Sequence, residues 1–198
     1  MKKVILQLAL FIVIVAIGYF VYQSIMEPVK FRNEQRARSV VVVEKLKDIR
    51  TSQAIYRRVN GSYSNDFDSL VAFLSVVEIP VVKMVADPND STFTKTINDT
   101  IGYISVADSI FSNKPYPLSQ LALIPFSNNV RFEIDADTIE RGGTDVHVFE
   151  VLAPYSAFLY GMDAQTVINL IAKQEDIEKY PGLKVGSLRE PSTDGNWE

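Results

Sequence analysis

The 198-residue sequence contains no cysteine and only one histidine, His147. Without cysteine, the chain cannot form disulfides, thiolate zinc sites, iron–sulfur ligation or cysteine nucleophiles. A single histidine excludes catalysis through paired imidazoles, and also a multi-histidine metal site, within one chain. The net charge of −4 is mildly acidic, which argues against nucleic acid as the main partner.

The overall composition is that of an ordinary folded protein. Hydrophobic residues make up 47% of the chain and charged residues 22%, so a mostly disordered chain is excluded. The length allows one domain of moderate size plus an appendage.

The N-terminal region contains an uncharged run of 23 residues, from Val4 to Met26. A bilayer core needs roughly 20 residues of helix, and Tyr19 and Tyr22 lie near the far end of the run, where aromatic rings prefer the headgroup region. A cleaved signal peptide is the alternative, but the sequence after the apolar run lacks a small-x-small cleavage site. We therefore predict an uncleaved transmembrane anchor over residues 1–26, with the lipid bilayer as its partner.

The charges around this run bear on the orientation of the anchor. Lys2 and Lys3 precede it, and the basic residues that follow it are Lys30, Arg32, Arg36 and Arg38, partly offset by Glu27 and Glu34. Counted literally, the positive-inside rule does not favour an outside C-terminus. A short basic head before an apolar run is nevertheless the usual arrangement of a signal anchor. The basic residues after the run either touch anionic headgroups or are solvated charges on a helix.

An amphipathic helix is predicted to extend the anchor over residues 27–60. Pro28 permits a kink or a fresh helix start, and no Gly or Pro follows until Gly61. One helical face carries Val42, Leu46, Ile49, Gln53 and Tyr56. The opposite face is predicted to carry the charged residues Glu44, Lys45, Lys47, Asp48, Arg50, Arg57 and Arg58. We expect the helix to end at Asn60-Gly61 and the apolar stripe to pack on the downstream domain, with a free coiled coil as the alternative.

The first part of the globular region, residues 61–189, combines helix and strand signals. Asn65 or Asp66 can cap a helix over Phe67–Val77 that is stopped by Pro80. A strand over Val81–Ala86 and a turn at Asp87–Asp90 are expected to follow. The next predicted unit is a hairpin around Asn98-Asp99, formed by Thr92–Ile97 and Thr100–Val106.

The clearest hairpin lies between Val130 and Leu152, with its turn at Arg141–Thr144 because glycine tolerates positive φ. Asp163 is expected to cap a last helix, Ala164 to Tyr180 at most, which is followed by a strand over Leu183–Leu188. The last segment, residues 190–198, is a polar tail. The sequence thus predicts an α+β fold in which the long helix packs on a small, mostly antiparallel sheet with additional helices.

The plan of an apolar helix running into an amphipathic helix and then strands resembles type IV pilin-like proteins and pseudopilins. The resemblance is sharpest at the end of the long helix, where Ala54 and Tyr56 are followed by Asn60–Tyr63 and then by Asp66, Asp68 and Leu70. It implies an extracytoplasmic domain on a single-pass anchor of the bacterial inner membrane, with the domain in the periplasm. It also implies other envelope proteins or copies of the same chain as partners.

The sequence also resembles a family of bacterial membrane-anchored proteins of the kind seen in Bacteroidota. The shared parts are Ile25–Val29, Phe67–Leu70, Pro181–Leu188 and Gly195–Trp197. This resemblance spans most of the chain and implies no activity.

The sequence departs from prepilins at the N-terminus. It has no Gly-Phe leader junction, and nothing between Val4 and Met26 is acidic. We therefore expect no prepilin-type cleavage, and the salt bridge that prepilins make with a helix glutamate during assembly is not expected either. What the resemblance supports is a pseudopilin-like architecture.

Few residues could carry chemistry. His147 lies in a predicted strand with Asp145 and Glu150 as nearby carboxylates, but no motif places a nucleophile, so a strand-face histidine is the favoured interpretation. Asp135 and Asp137 alternate along one strand face and match a catalytic carboxylate pair only by their spacing, so a solvated face is favoured.

An oxygen-rich turn contains Asp87, Asn89 and Asp90, and calcium binds such loops. Major pseudopilins are known for a calcium site, but in a late loop, and Asx residues also simply make turns. Gly142-Gly143 is predicted to form a hairpin turn, not a phosphate-binding loop. We predict no catalytic residue, no cofactor and no metal ligand.

Two functions fit these observations. The favoured one is a non-enzymatic structural or assembly subunit of a cell-envelope machine, pseudopilin-like, with protein secretion as a candidate pathway. The alternative is a membrane-tethered extracytoplasmic sensor or ligand-binding domain. A membrane-anchored hydrolase has almost no support among the residues.

Overall fold

The computed structural model describes residues 2–86 and 96–198. The mixed α+β fold predicted from the sequence is confirmed. In chain order the elements are α1 (Lys2–Asn60), α2 (Phe67–Val76), β1 (Glu78–Ala86), β2 (Thr96–Ser105), α3 (Val106–Phe111), a 3-10 turn (Leu118–Gln120), β3 (Glu133–Arg141), β4 (Thr144–Pro154), α4 (Tyr155–Phe158), α5 (Ala164–Glu175) and β5 (Gly182–Gly186).

Helix α1 is a single helix of 59 residues that contains Pro28 in its interior. The fresh helix start that Pro28 permits is therefore not used. Pro28 has no N–H to donate to the Ser24 carbonyl, so the helix continues through this point with one backbone hydrogen bond fewer. The helix ends where the sequence predicts: Gly61 adopts a φ of +83°, and its N–H donates to the Arg57 carbonyl at 2.8 Å.

The C-terminal half of α1 forms one wall of the hydrophobic core. Val42, Leu46, Ile49 and Gln53 are fully buried. The half-buried ring of Tyr56 packs edge-on against Phe73 of α2, with a centroid distance of 4.9 Å. The predicted packing of the stripe on the chain's own domain is confirmed. Other elements also contribute large buried side chains to this core, among them Phe67, Leu70, Leu74, Val106, Leu121, Phe132, Phe149, Val151, Phe158, Leu159 and Val185.

Gln53 is the polar member of the buried stripe. Its amide nitrogen donates to the Ser64 carbonyl at 2.6 Å, and its amide oxygen accepts from the Ser64 N–H at 2.9 Å. Both polar ends of the side chain are therefore satisfied, so burial does not leave an unmet hydrogen bond. This pair fixes the turn after Gly61 against α1.

Strands β3, β4 and β5 form an antiparallel sheet in that order. The predicted hairpin between Val130 and Leu152 is confirmed: Arg141 pairs with Thr144, and both intervening glycines adopt positive φ. The final predicted strand ends earlier than Leu188, because Gly186 turns with a φ of +78°.

The predicted polar tail, residues 190–198, packs back onto the fold. The Gly186 N–H donates to the Asp194 carbonyl, and the Asn196 N–H donates to the Lys184 carbonyl, both at 3.0 Å. Trp197 packs against the core, and Glu198 pairs with Arg50 of α1 at 2.8 Å. Because the strand edge supplies backbone partners, the tail is held as part of the fold.

The hairpin predicted around Asn98-Asp99 is wrong. Strand β2 runs continuously through this dipeptide and pairs antiparallel with β1, from Glu78 opposite Ser105 to Ala86 opposite Thr96. Asn-Asp favours turns only locally, and pairing along the whole of β1 outweighs that preference. The predicted turn at Asp87–Asp90, and residues 91–95 of the predicted hairpin, lie outside the described residues.

Helix caps lie where the sequence places them, whereas some boundaries differ. Asp66 accepts from the Ser69 N–H at 2.8 Å, and Asp163 accepts from the Thr166 N–H at 2.7 Å. Strand β1 begins before Pro80, which is tolerated because each strand of this two-stranded sheet is an edge. The short helices α3 and α4 were not predicted, since six and four residues carry little periodic signal.

We expect Gly61→Val to destabilise the domain by about 1–3 kcal/mol, the cost of holding a β-branched residue in the left-handed region. A Cβ at Gly61 would meet no atom within 4 Å, so the effect isolates backbone strain. Gly61→Asn is the matched control, because asparagine tolerates this conformation. Chemical unfolding of both variants measures the difference, and equal destabilisation would contradict the account.

Candidate functional site

The N-terminal part of α1 is apolar, and its most apolar 18-residue window is 0% buried in the structure. Its large side chains are mostly exposed, with Leu6 at 72% and Phe20 at 68%. In the described part of the chain, this is the one helix long and apolar enough to cross a membrane. Twenty-three helical residues span about 35 Å, more than the roughly 30 Å of a bilayer core. The segment is therefore compatible with the predicted membrane anchor.

An open cleft of about 570 Å³ lies directly after the apolar run, between α1 and the start of α5; we call it the α1–α5 cleft. It is lined by Glu27, Pro28, Lys30, Phe31, Glu34, Met162, Asp163 and Thr166. The cleft was not predicted, because its two walls are more than a hundred residues apart in sequence.

Arg38, one helical turn after Glu34, links α1 to the domain. Its guanidinium pairs with Glu34 at 2.8 Å and donates to the carbonyls of Phe158 and Tyr160 at 3.2 and 2.9 Å. It also lies over the Phe126 ring at 5.2 Å. Of the basic residues after the apolar run, Arg38 is therefore a packing residue, whereas Lys30, Arg32 and Arg36 are exposed.

Two charged residues of α1 are buried, which corrects the prediction that they line its solvent face. Lys45 is 4% exposed and Asp48 is 7% exposed. The Asp48 carboxylate accepts from the Tyr116 hydroxyl and pairs with Lys114 at 2.7 Å. Lys45 donates to two loop carbonyls and lies 4.4 Å from the centroid of the Tyr116 ring. Together these four side chains form what we call the Lys45–Asp48 cluster.

The Lys45–Asp48 cluster pins the segment between α3 and β3 onto α1. The Lys45 ammonium reaches the carbonyls of Gln120 and Leu123 at 2.6 and 2.7 Å. Burial lowers the pKa of Lys45 to about 8, against the opposing effect of Asp48. Burial and the bond to Asp48 raise the pKa of Tyr116. A sequence signal existed: Lys45 is three residues after Val42 and four before Ile49, which places it at the edge of the stripe.

We expect stability to rise with pH between about 8 and 10 through Lys45. In this window the unfolded lysine, with its ordinary pKa near 10.5, binds more protons than the folded one, so raising the pH favours folding. Each unit of pKa difference is worth about 1.4 kcal/mol. Unfolding free energies of wild type and Lys45→Met, measured across this range, should differ in slope. Parallel curves would contradict a depressed Lys45 pKa.

His147 lies on β4 opposite Thr138 of β3, and its Nδ1 is 2.8 Å from the Thr138 hydroxyl oxygen. Glu150, a nearby carboxylate in sequence, points to the other face of the strand and pairs with Lys184 at 2.8 Å. His147 borders an open polar groove of about 410 Å³, lined also by Tyr56, Ser62, Tyr63, Ser64, Asn65, Ser69, Ala136, Asp137 and Thr138. The groove offers hydroxyl and amide groups suited to hydrogen bonding.

Asp135 and Asp137 are exposed, and each bonds to the backbone of its own strand. Asp135 accepts from the Ala136 N–H at 2.8 Å, and Asp137 accepts from the Thr138 N–H at 2.7 Å. These side chains satisfy backbone donors along β3, the edge strand of the sheet. Such capping hinders the addition of another strand, which is a common way to manage an exposed edge.

Among the acidic and histidine side chains that the structure describes, no group of three or more is placed to hold a metal ion. The turn with Asp87, Asn89 and Asp90 lies outside the described residues, so the expectation of no metal ligand there stays a prediction.

Comparison with known proteins gives no family for this chain. No protein-family model matches it, and no curated protein or solved structure is significantly similar to it.

Proposed function

We propose that this chain is a single-pass protein of a bacterial inner membrane that serves as a non-enzymatic structural or assembly subunit of an envelope machine, with its domain in the periplasm. The observation that carries the proposal is α1. One uninterrupted helix exposes an apolar surface long enough for a bilayer and then supplies a wall of the domain core.

The helix makes the anchor and the domain a single rod. The 34 residues from Glu27 to Asn60 extend about 50 Å at 1.5 Å per residue. Arg38 and the Lys45–Asp48 cluster fix the domain along this length. A domain held at a set height and angle suits a subunit that must meet its neighbours in register, and this plan resembles that of pseudopilins.

The orientation can be tested with single cysteines, because the chain has none of its own. Thr144→Cys places a thiol at the exposed β3–β4 turn, and Lys3→Cys places one before the apolar run. In intact spheroplasts, a membrane-impermeant maleimide should label the first variant and reach the second only after the membrane is broken. The opposite pattern would overturn the periplasmic placement.

The assembly role can be tested by crosslinking in membranes, followed by purification of the full-length protein and mass spectrometry. We expect crosslinked copies of the chain or crosslinked envelope proteins. The matched sample without crosslinker controls for co-purification. Recovery of the uncrosslinked monomer alone would contradict the assembly role.

The polar groove beside His147 favours a second candidate, a membrane-tethered sensor or ligand-binding domain. Its many hydroxyl and amide groups could bind a small polar ligand. Ser69→Trp, a change on α2, should fill the groove and leave the apolar run of α1 unchanged. If this variant loses the cellular function while its crosslinks persist, the binding role is supported over the assembly role.

A further inference from the structure

The α1–α5 cleft lies at the level of the lipid headgroups if α1 spans a bilayer. The apolar run ends at Met26, and the cleft begins at Glu27 in the same unbroken helix. The stretch from Glu27 to Phe31 rises about 6 Å, which is within the roughly 5–8 Å that the headgroup layer occupies beyond the bilayer core. Met162 and Thr166 of the opposite wall are brought to the same height.

The cleft carries more negative than positive groups. Glu27, Glu34 and Asp163 face one ammonium group, that of Lys30, and Arg38 already neutralises Glu34. Glu27 Oε1 accepts from Gln23 at 2.8 Å, and Asp163 Oδ2 accepts from the Thr166 N–H. In the hydrogen bonds that the structure describes, the second oxygen of each of these two carboxylates has no donor. Each can therefore accept from a cationic ligand.

The basic residues nearby lie on the other side of α1. Arg32 and Arg36 are exposed, and neither lines the cleft. An anionic headgroup would therefore find basic partners on the outer face of the helix rather than in the cleft. Inside the cleft, Phe31 and Met162 supply apolar surface next to the carboxylates.

We propose that the α1–α5 cleft binds the headgroup of a zwitterionic aminophospholipid from the bilayer that holds α1. Its primary ammonium group lies between Glu27 and Asp163, its phosphate lies near Lys30, and the root of its acyl chains lies against Phe31 and Met162. The inference rests on the proposed membrane anchor and adds a lipid preference to it. The bound lipid fills the gap between the anchor and the domain.

The test uses the full-length protein in nanodiscs that contain phosphatidylethanolamine, phosphatidylglycerol and phosphatidylcholine in equal amounts. Native mass spectrometry of the released protein should show several-fold enrichment of phosphatidylethanolamine. Glu27→Gln should lower that enrichment about two- to fivefold, as expected for a partly exposed ion pair. Glu44→Gln, an exposed change further along the same helix, should leave it unchanged.

The site can be located with Thr166→Cys carrying a fluorophore, with Thr144→Cys as the distant control. A quencher on the lipid headgroups should reduce the fluorescence of the first and not of the second. Equal retention of the three lipids, preference for phosphatidylglycerol, or enrichment that survives Glu27→Gln would overturn the lipid site while leaving the anchor intact. Failure to enter nanodiscs would overturn the anchor itself and the lipid site with it.

Discussion

Truncating Ile49 to alanine should lower the free energy of unfolding by about 2–5 kcal/mol, one of the two largest effects that we expect. Ile49 is fully buried on the face of α1 that packs on the domain. The truncation removes the apolar contacts of the Ile49 side chain beyond Cβ. It also leaves a cavity that the surrounding side chains cannot fill, because α1 is held in the core. A domain has only about 5–15 kcal/mol of stability, so the melting temperature should fall clearly.

The matched control is Val40→Ala, an aliphatic truncation on the same helix at a position that is 58% exposed. We expect a change within about 0.5 kcal/mol, the usual range for a surface substitution. Chemical unfolding of the full-length protein in detergent, followed by circular dichroism, measures both variants. If Ile49→Ala left stability unchanged but weakened self-association, the stripe would be a seam between subunits.

The second large effect is expected for Asp48→Ala, which should destabilise the protein by about 2–3 kcal/mol. The substitution leaves the Tyr116 hydroxyl without its acceptor and Lys114 without its partner. Lys45 stays buried and loses the favourable electrostatic effect of the Asp48 carboxylate. The side chain of Lys114 is 30% exposed and can turn to water, which keeps the expected cost below that of a fully buried ion pair.

Glu44→Ala is the control for Asp48→Ala, because Glu44 also pairs with a lysine but lies on the exposed side of α1. Surface pairs of this kind contribute little, so its unfolding curve should nearly match that of wild type. If the two substitutions lowered the free energy of unfolding equally, burial of the Lys45–Asp48 cluster would not contribute to stability.

Much of the fold could be predicted because short stretches of sequence determine it locally. The stripe from Val42 to Tyr56, the terminator at Gly61, the cap at Asp163 and the glycine turn after Arg141 each act within a few residues of sequence. Periodicity and backbone preference suffice for such features.

The errors arise where distant segments decide the outcome. Asn98-Asp99 favours a turn locally, but β1 supplies a pairing partner along its whole length. Lys45 and Asp48 are charged, and their burial depends on Tyr116 and on carbonyls that lie some 70 residues away. Helical periodicity predicts on which face of the helix a charged residue lies, but it does not predict which loop will cover that residue.

The candidate site was harder to predict than the fold. The α1–α5 cleft joins Glu27 to Met162, and the groove beside His147 joins two strands to the turn after α1. Neither arrangement follows a motif, because each depends on the packing of segments far apart in sequence. The apolar run from Val4 to Met26, by contrast, is visible from composition alone.

The central claim is that one rigid helix carries both the membrane anchor and a wall of the domain. The most direct measurement is hydrogen–deuterium exchange of the full-length protein in lipid nanodiscs, read across residues 20–40. The account predicts slow exchange without a gap from Phe20 through Pro28 to Val40, because α1 keeps its helical hydrogen bonds and is held by lipid before this stretch and by the domain core after it. A window of fast exchange at residues 27–32 would show a flexible linker and contradict the account.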